Sequence, residues 1–187
     1  MDHNHDKRVS EKKSDRKNLL VGMFKNRDDA ELAFDDLNQL GYTNEEINLL
    51  MSEETRTRYY NNKDKSKYDT ELGNKAAEGA GTGTLVGGAL GAIAGAVAAI
   101  GTTLLIPGIG VVIAGPIVAG LAGAGAGSIA GGLIGALVGL GIPEDKATLY
   151  EKGIKEGNIV IGVYPRNDEE RKIIVNKWKN RNVLDIH

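Results

Sequence analysis

Residues 19–51, LLVGMFKNRDDAELAFDDLNQLGYTNEEINLLM, decide the fold. Leu19–Phe24 is a short apolar run suited to a buried strand. A helical pattern follows, with Ala30, Ala33, Phe34, Leu37 and Leu40 recurring at three- and four-residue steps to mark one face. Asn26 is placed to cap that helix, and Asp28 and Asp29 in its first turn complement the positive end of the helix dipole. Gly41 is a natural stop. Ile47–Met51 reads as a second strand, so the segment is a βαβ unit.

The pattern returns near the carboxyl end. Pro143 suits the first position of a helix, with Glu144 and Asp145 behind it. Ala147, Tyr150 and Ile154 form that helix's apolar stripe, and Gly157 ends it. Asn158–Tyr164 is a third strand, broken by Pro165. Asn167 with Glu170 is a capping pair for a helix whose buried face is Ile173, Ile174 and Trp178. Val183–Ile186 is a fourth, terminal strand. Two βαβ units of this kind predict an α+β fold: a ferredoxin-like split βαβ domain, four antiparallel strands with helices on one face, interrupted by an insert. Each half buries too little apolar surface alone, so the halves are expected to fold together.

The insert is compositionally distinct. From Gly79 to Pro143 there are 65 residues without Asp, Glu, Lys or Arg, holding 20 of the chain's 26 glycines. The other 122 residues carry all 48 charges and all nine aromatics. Gly79, Gly83, Gly87, Gly91 and Gly95 stand at strict four-residue spacing, as do Gly123, Gly127, Gly131, Gly135 and Gly139. Residues four apart share a helical face, so each series is a smooth ridge for close backbone approach. Leu104–Gly110, with one Pro and two Gly, reads as a turn. These features predict two helices, about 78–106 and 111–140, folded as a glycine-zipper hairpin, with Pro116 in the early turns of the second. At 1.5 Å per residue each helix reaches roughly 42–45 Å, enough for a hydrocarbon core of about 30 Å. The expected organisation is therefore a polar tail (1–18), a first half-domain (19–56), a polar linker (57–78), a membrane-inserted glycine-zipper hairpin (79–141) and a second half-domain (142–187). The linker is read as loop with a partial helix near its end.

The same composition excludes several classes of function. There is no Cys, hence no disulfide scaffold and no Cys-based metal site. A net charge of -2 argues against nucleic acid, and Glu53, Glu54, Asp64 and Asp69 cancel Arg56 and Arg58 beside Tyr59, Tyr60 and Tyr68. His3 and His5 sit on a polar tail with no scaffold to fix metal geometry, and His187 is terminal. Gly79–Gly83 lacks the Lys-Ser/Thr pair of a phosphate loop, and Gly108–Gly110 lacks the full dinucleotide fingerprint. Asp28, Asp29, Asp35 and Asp36 read as helix-start and solvent-face charges. Ser10, Ser14, Ser52 and Ser66 have no histidine partner. No catalytic residue, cofactor or metal site is expected, and a small-molecule ligand stays unassigned.

Two stretches carry a resemblance. VGMFKNRDDAELAFDDLNQLGYTNEEINLLMSEETR at 21–56 resembles the amino-terminal domain of bacterial general stress proteins, also called the heat-induced stress protein family. GIPEDKATLYEKGIKEGNIVIGVYP at 141–165 resembles the tail of their glycine-zipper-containing members. Phe24, Asn26, Arg27, Ala30, Leu37, Gly41, Met51, Pro143, Tyr150, Gly153 and Gly157 match the pattern. The resemblance implies a non-enzymatic protein induced under heat or salt stress, with no catalytic residues to carry over. The insert adds the expectation of a lipid bilayer and a homo-oligomer as partners, with the α/β domain facing the cytoplasm. If the hairpin is not inserted, the protein is cytoplasmic, and the alternative is a soluble or peripheral regulatory module that binds a ligand or another protein.

Overall fold

The computed structural model describes residues 19–60, 93, 103–106, 110–118 and 132–187. In chain order they form β1 (Leu20–Phe24), α1 (Arg27–Gln39), a 3₁₀ turn (Asn44–Glu46), β2 (Asn48–Ser52), α2 (Glu53–Tyr60), β3 (Thr103–Ile106), β4 (Val111–Ala114), α3 (Gly132–Gly139), α4 (Glu144–Lys155), β5 (Ile159–Val163), α5 (Asp168–Lys179) and β6 (Asp185–Ile186). The architecture is α+β around an antiparallel sheet. Its six strands run β3-β4-β2-β5-β1-β6. The strands of the two half-domains interleave. Leu20 pairs with Val163 and Phe24 with Ile159, while Leu50 pairs with Val160. Neither half owns a complete sheet, which is why the two fold as one unit.

Strand side chains alternate between two cores, as the two-residue period requires. Leu20, Phe24, Leu49, Met51, Ile159, Ile161 and Val163 face α1 and α5. Val21, Met23, Leu50, Val160, Val111 and Ile113 face α3 and α4. Both faces are covered, and β1, β4 and β5 are buried along their whole length. Helices on one face alone were expected. The second layer comes from the insert, whose last helix brings α4 onto the opposite face, and this explains why the strands read as continuous apolar runs.

Helix ends follow their local chemistry. The Asp29 backbone N–H donates to the Asn26 side chain at 2.9 Å, and the Glu170 N–H to that of Asn167 at 2.8 Å. The Glu170 carboxylate accepts from the Arg166 N–H at 2.8 Å, one residue short of the expected reciprocal bond. Gly41, Gly141 and Gly157 carry positive φ of 84°, 95° and 96°. After each, a backbone N–H returns five residues: Tyr42 to Leu37, Ile142 to Leu137 and Asn158 to Gly153.

Four expectations are corrected. Residues 103–106 and 111–114 are strands that pair with each other and, through β4, with β2, so helices do not run through 106 or start at 111. A β-rich run (Leu104–Ile106, Val111–Ile113) flanking Pro and Gly is a hairpin, and the free edge of β2 supplies a partner. Pro116 consequently lies in the turn after β4 and not in a helix. The expected second helix is described only over α3, which begins at Gly132 with φ of 67°; residues 119–131 lie outside the described residues. The polar segment after β2 is helical at its start, as α2, where Ser52 accepts the Thr55 N–H at 3.0 Å. On α5, Ile173 is 43% exposed and the buried face is Ile174 and Trp178.

Candidate functional site

Of the ten zipper glycines, Gly79, Gly83, Gly87, Gly91, Gly95, Gly123, Gly127 and Gly131 lie outside the described residues. Gly135 and Gly139 fall on α3. The inner face of α3 is Leu133, Ala136 and Leu137, continued by Leu140, all in the core beneath the sheet. Gly135, Val138 and Gly139 lie on the outer side, where Val138 is 42% exposed, while Ile134 is half-buried and packs against the same core. A Cβ placed at Gly139 would meet nothing within 4 Å. Leu149 on neighbouring α4 is a further exposed apolar side chain. This uncharged surface is the candidate site. Its chemistry is close apolar contact, with no titratable group among its own residues.

The insert is fastened to the domain at three places. At Gly115, φ is 102° and an added Cβ would lie 2.4 Å from the Ile47 carbonyl oxygen. Only glycine lets the chain cross β2 so closely. Buried Asn48 then bridges both sides: its Oδ1 accepts the Ile117 N–H at 2.7 Å and its Nδ2 donates to the Gly162 carbonyl at 3.1 Å. On the opposite sheet face, Ile93 is buried in the core under α1, and its N–H donates to Glu31 Oε2 at 2.9 Å. Arg27 Nε reaches the other carboxylate oxygen of Glu31 at 3.4 Å. Burial raises the Glu31 carboxyl above its ordinary range, against the opposing pull of the Ile93 N–H and Arg27. The Arg27 guanidinium also lies over the Tyr60 ring, 5.4 Å from its centroid. Burial and the charge of Glu31 push the Tyr60 phenol upward, and its hydroxyl has no well-formed hydrogen bond among the described residues.

The remaining polar clusters tie secondary structure together. Asp36, only 2% exposed, accepts from Lys177 at 3.0 Å and from Arg181 at 2.9 Å, fastening α1 to α5. Burial pushes its carboxyl up, but Arg181 and Lys177 outweigh this and hold it below the usual carboxylate range. The solvent-face reading of Asp36 is thus corrected, since its cations arrive from 141 and 145 residues away. Arg166 covers the Tyr42 ring at 4.3 Å and donates to the carbonyls of Leu40 and Gly41 at the end of α1. Tyr42 in turn donates to Glu170 at 2.7 Å. Asp185 receives the Tyr150 hydroxyl at 2.8 Å and pairs with Lys146. Among the described residues no group of three His, Cys, Asp or Glu is arranged to hold a metal ion. Sequence reasoning missed Glu31 and Asn48. Glu31 adjoins the apolar stripe of α1 four residues after Arg27, a spacing that also reads as a surface ion pair.

Comparison with protein families, with curated proteins and with solved structures finds no match in any of the three.

Proposed function

We propose that this is a non-enzymatic general stress-response protein whose α+β domain presents an uncharged, glycine-ridged insert to a second copy of the chain and to a lipid bilayer. The role is support of membrane integrity or self-assembly at the cytoplasmic face of the membrane. The domain itself is ferredoxin-like in this reading: leaving aside β3 and β4, its order β2-β5-β1-β6 alternates direction at every step. The observation that carries the proposal is the outward face of α3, where Gly135, Val138 and Gly139 offer an uncharged surface with open space above Gly139.

Chain length disfavours a spanning hairpin built from residues 119–131 in this state. Among the described residues no helix is long and apolar enough to cross a membrane. Ile117 and Leu133 are buried in the same core. The 13 residues between Val118 and Gly132 extend at most about 50 Å, short of the roughly 60 Å needed to cross a hydrocarbon core and return. Insertion of residues 119–131 would first require Ile117 or Leu133 to leave that core. A soluble or peripheral protein-binding regulatory module is the second reading, favoured by the incorporation of β3 and β4 into the sheet.

The test uses the full chain and its Val138→Glu variant, which places a charge on the outer face of α3. Sedimentation across a concentration series and flotation with anionic vesicles are measured on both. The proposal expects the variant to stay folded while oligomers and vesicle binding fall several-fold. Equal assembly and equal flotation in the two proteins would reject it.

A further inference from the structure

Every ladder in the β2-β5-β1-β6 part of the sheet joins a strand that precedes the insert to one that follows it. β2 pairs with β5, β5 with β1, and β1 with β6. β5 separates β2 from β1, and β1 separates β5 from β6. Residues 132–187 therefore hold two strands with no ladder between them. The polar ties follow the same rule. Asp36 on α1 takes Lys177 and Arg181 from the α5 region. Tyr42 donates to Glu170, Arg166 donates to the carbonyls of Leu40 and Gly41, and the Trp178 indole donates to the Ala33 carbonyl.

Taken off the earlier strands, residues 132–187 would expose Ile159, Ile161, Val163, Ile174 and Trp178, which share a core with Leu20, Phe24 and Phe34. The surface that covers them is built by β1, α1 and β2, and it is the same in every copy of the chain. Contacts between the two parts keep their distances and burial when the parts come from two chains, so exchange introduces no foreign interface. Only connectivity differs. The 13 residues between Val118 and Gly132 are the link, and they reach at most about 50 Å, more than the roughly 30 Å diameter of a small domain. A short flexible link gives an effective concentration of about millimolar in the unfolded chain, so closure within one chain prevails in dilute solution. Refolding near that concentration lets a second copy compete.

We propose that this chain assembles by exchange: residues 132–187 of one copy complete the sheet on β1 and β2 of a second copy, and the reverse. The partner is a second copy of this chain, and the interface is the sheet itself. The inference goes beyond the preceding reading and does not need the outer face of α3.

The chain has no Cys, so single cysteines report which copy each strand came from. Leu20 and Val163 are opposite partners in the β1–β5 ladder. Such partners lie about 4.5–5.5 Å apart at Cα, within disulfide reach. Full-length Leu20→Cys and full-length Val163→Cys are unfolded together in urea, refolded as a mixture and oxidised. A closed chain carries only one cysteine of the pair, whereas an exchanged dimer carries both in one ladder. A covalent dimer linked at positions 20 and 163, identified by peptide mass, is expected. It should be about tenfold or more as abundant after refolding at about 1 mM as at about 10 μM. The doubly substituted single chain shows that the register accepts the bond. If that control closes and no 20–163 dimer forms at either concentration, exchange is overturned. If the control stays open or a cysteine variant does not fold, the parent chain decides. Isotopically heavy and light copies are refolded together at high concentration, diluted and separated by size. Mixed-mass dimers that persist long after dilution support exchange, because return to closed chains requires opening the whole sheet. Monomers alone, or dimers that dissociate at once on dilution, overturn it. Mixed-mass dimers abolished by Val138→Glu also overturn it, since they would assign the contact to α3 and sustain the preceding reading instead.

Discussion

Gly22 and Gly115 in the sheet region and Gly139 of the ridge do opposite things in this molecule. A Cβ at Gly22 would lie 2.6 Å from the Trp178 ring, and one at Gly115 would lie 2.4 Å from a backbone oxygen. A Cβ at Gly153 would meet the Met23 sulfur at 2.3 Å. At Gly139 it would meet nothing. Gly22, Gly115 and Gly153, which belong to no four-residue series, are in close contact, whereas Gly139, which does, is open. At Gly139 the series reaches a surface that the described part of the chain leaves uncovered, and the three tight approaches carry no sequence period. A repeated glycine and a buried glycine answer different needs: the first is offered outward, the second admits one particular neighbour.

The largest effect expected from testing that contrast is at Gly115. Alanine there combines a left-handed backbone at φ 102° with a collision against the rigid main chain of Ile47 and Asn48. We expect Gly115→Ala to lower unfolding free energy by about 3 kcal/mol or more, read by urea denaturation. A loss below about 1 kcal/mol would mean that the chain crosses β2 less closely than described. Gly22→Ala comes next. The ring it would strike is itself fixed, since Trp178 donates its indole N–H to the Ala33 carbonyl at 3.2 Å and stands edge-on to Phe24 at 5.7 Å. Overpacking a rigid ring is expected to destabilise by about 2–3 kcal/mol, with loss of near-ultraviolet Trp signal.

The two buried carboxylates of α1 sharpen the comparison between domain and insert. Asp36 serves the domain and Glu31 holds the insert. Asp36→Asn keeps the shape but weakens both ion pairs, and a loss of about 1–2 kcal/mol is expected at neutral pH. The sign follows from linkage. The Asp36 carboxyl is held below its ordinary 3.8, so its contribution is present above that value and disappears as pH falls through the lower folded one. The Glu31 carboxyl is raised above 4.5, so its ionisation disfavours the folded state, and stability is recovered as pH falls through its folded value. Acid unfolding curves of Asp36→Asn and Glu31→Gln should therefore depart from the parent in opposite directions. Departures in the same direction would show that one of the two environments is misassigned.

The legible parts of the sequence were those governed by local rules. Asn26, Gly41, Asn167 and Gly157 mark helix ends because capping and positive φ are decided within a few residues. The β1 and β5 segments were readable because both faces are apolar. What could not be read depends on distant partners. Asp36 looks solvent-facing until Lys177 and Arg181 arrive from α5. The stretch 103–114 was read as helix, turn and helix because its neighbours are Gly- and Ala-rich, yet the open edge of β2 turns it into strands. The candidate site was legible only in its spacing. Gly132 opens α3 with φ of 67°, and no pattern in the sequence announces that conformation.

The smallest effect is the most discriminating. Gly139 closes α3 with an ordinary φ and open space where a Cβ would go, so alanine gains helix propensity and meets no obstacle in the chain. In dilute solution Gly139→Ala is expected to raise unfolding free energy by about 0.5 kcal/mol, less than the full interior value because the residue ends the helix. At high concentration the expectation reverses. If a second copy approaches the ridge backbone to backbone, the added methyl separates the surfaces, and the association constant should fall several-fold. Equilibrium unfolding at two protein concentrations, with sedimentation in parallel, reads both terms. A dilute monomer destabilised by 2 kcal/mol or more (~) would show that Gly139 is covered within its own chain, and the contrast with Gly22 and Gly115 would be lost. A stabilised monomer that assembles as well as the parent would keep the contrast and remove the ridge from the assembly surface, leaving Val138 to carry it.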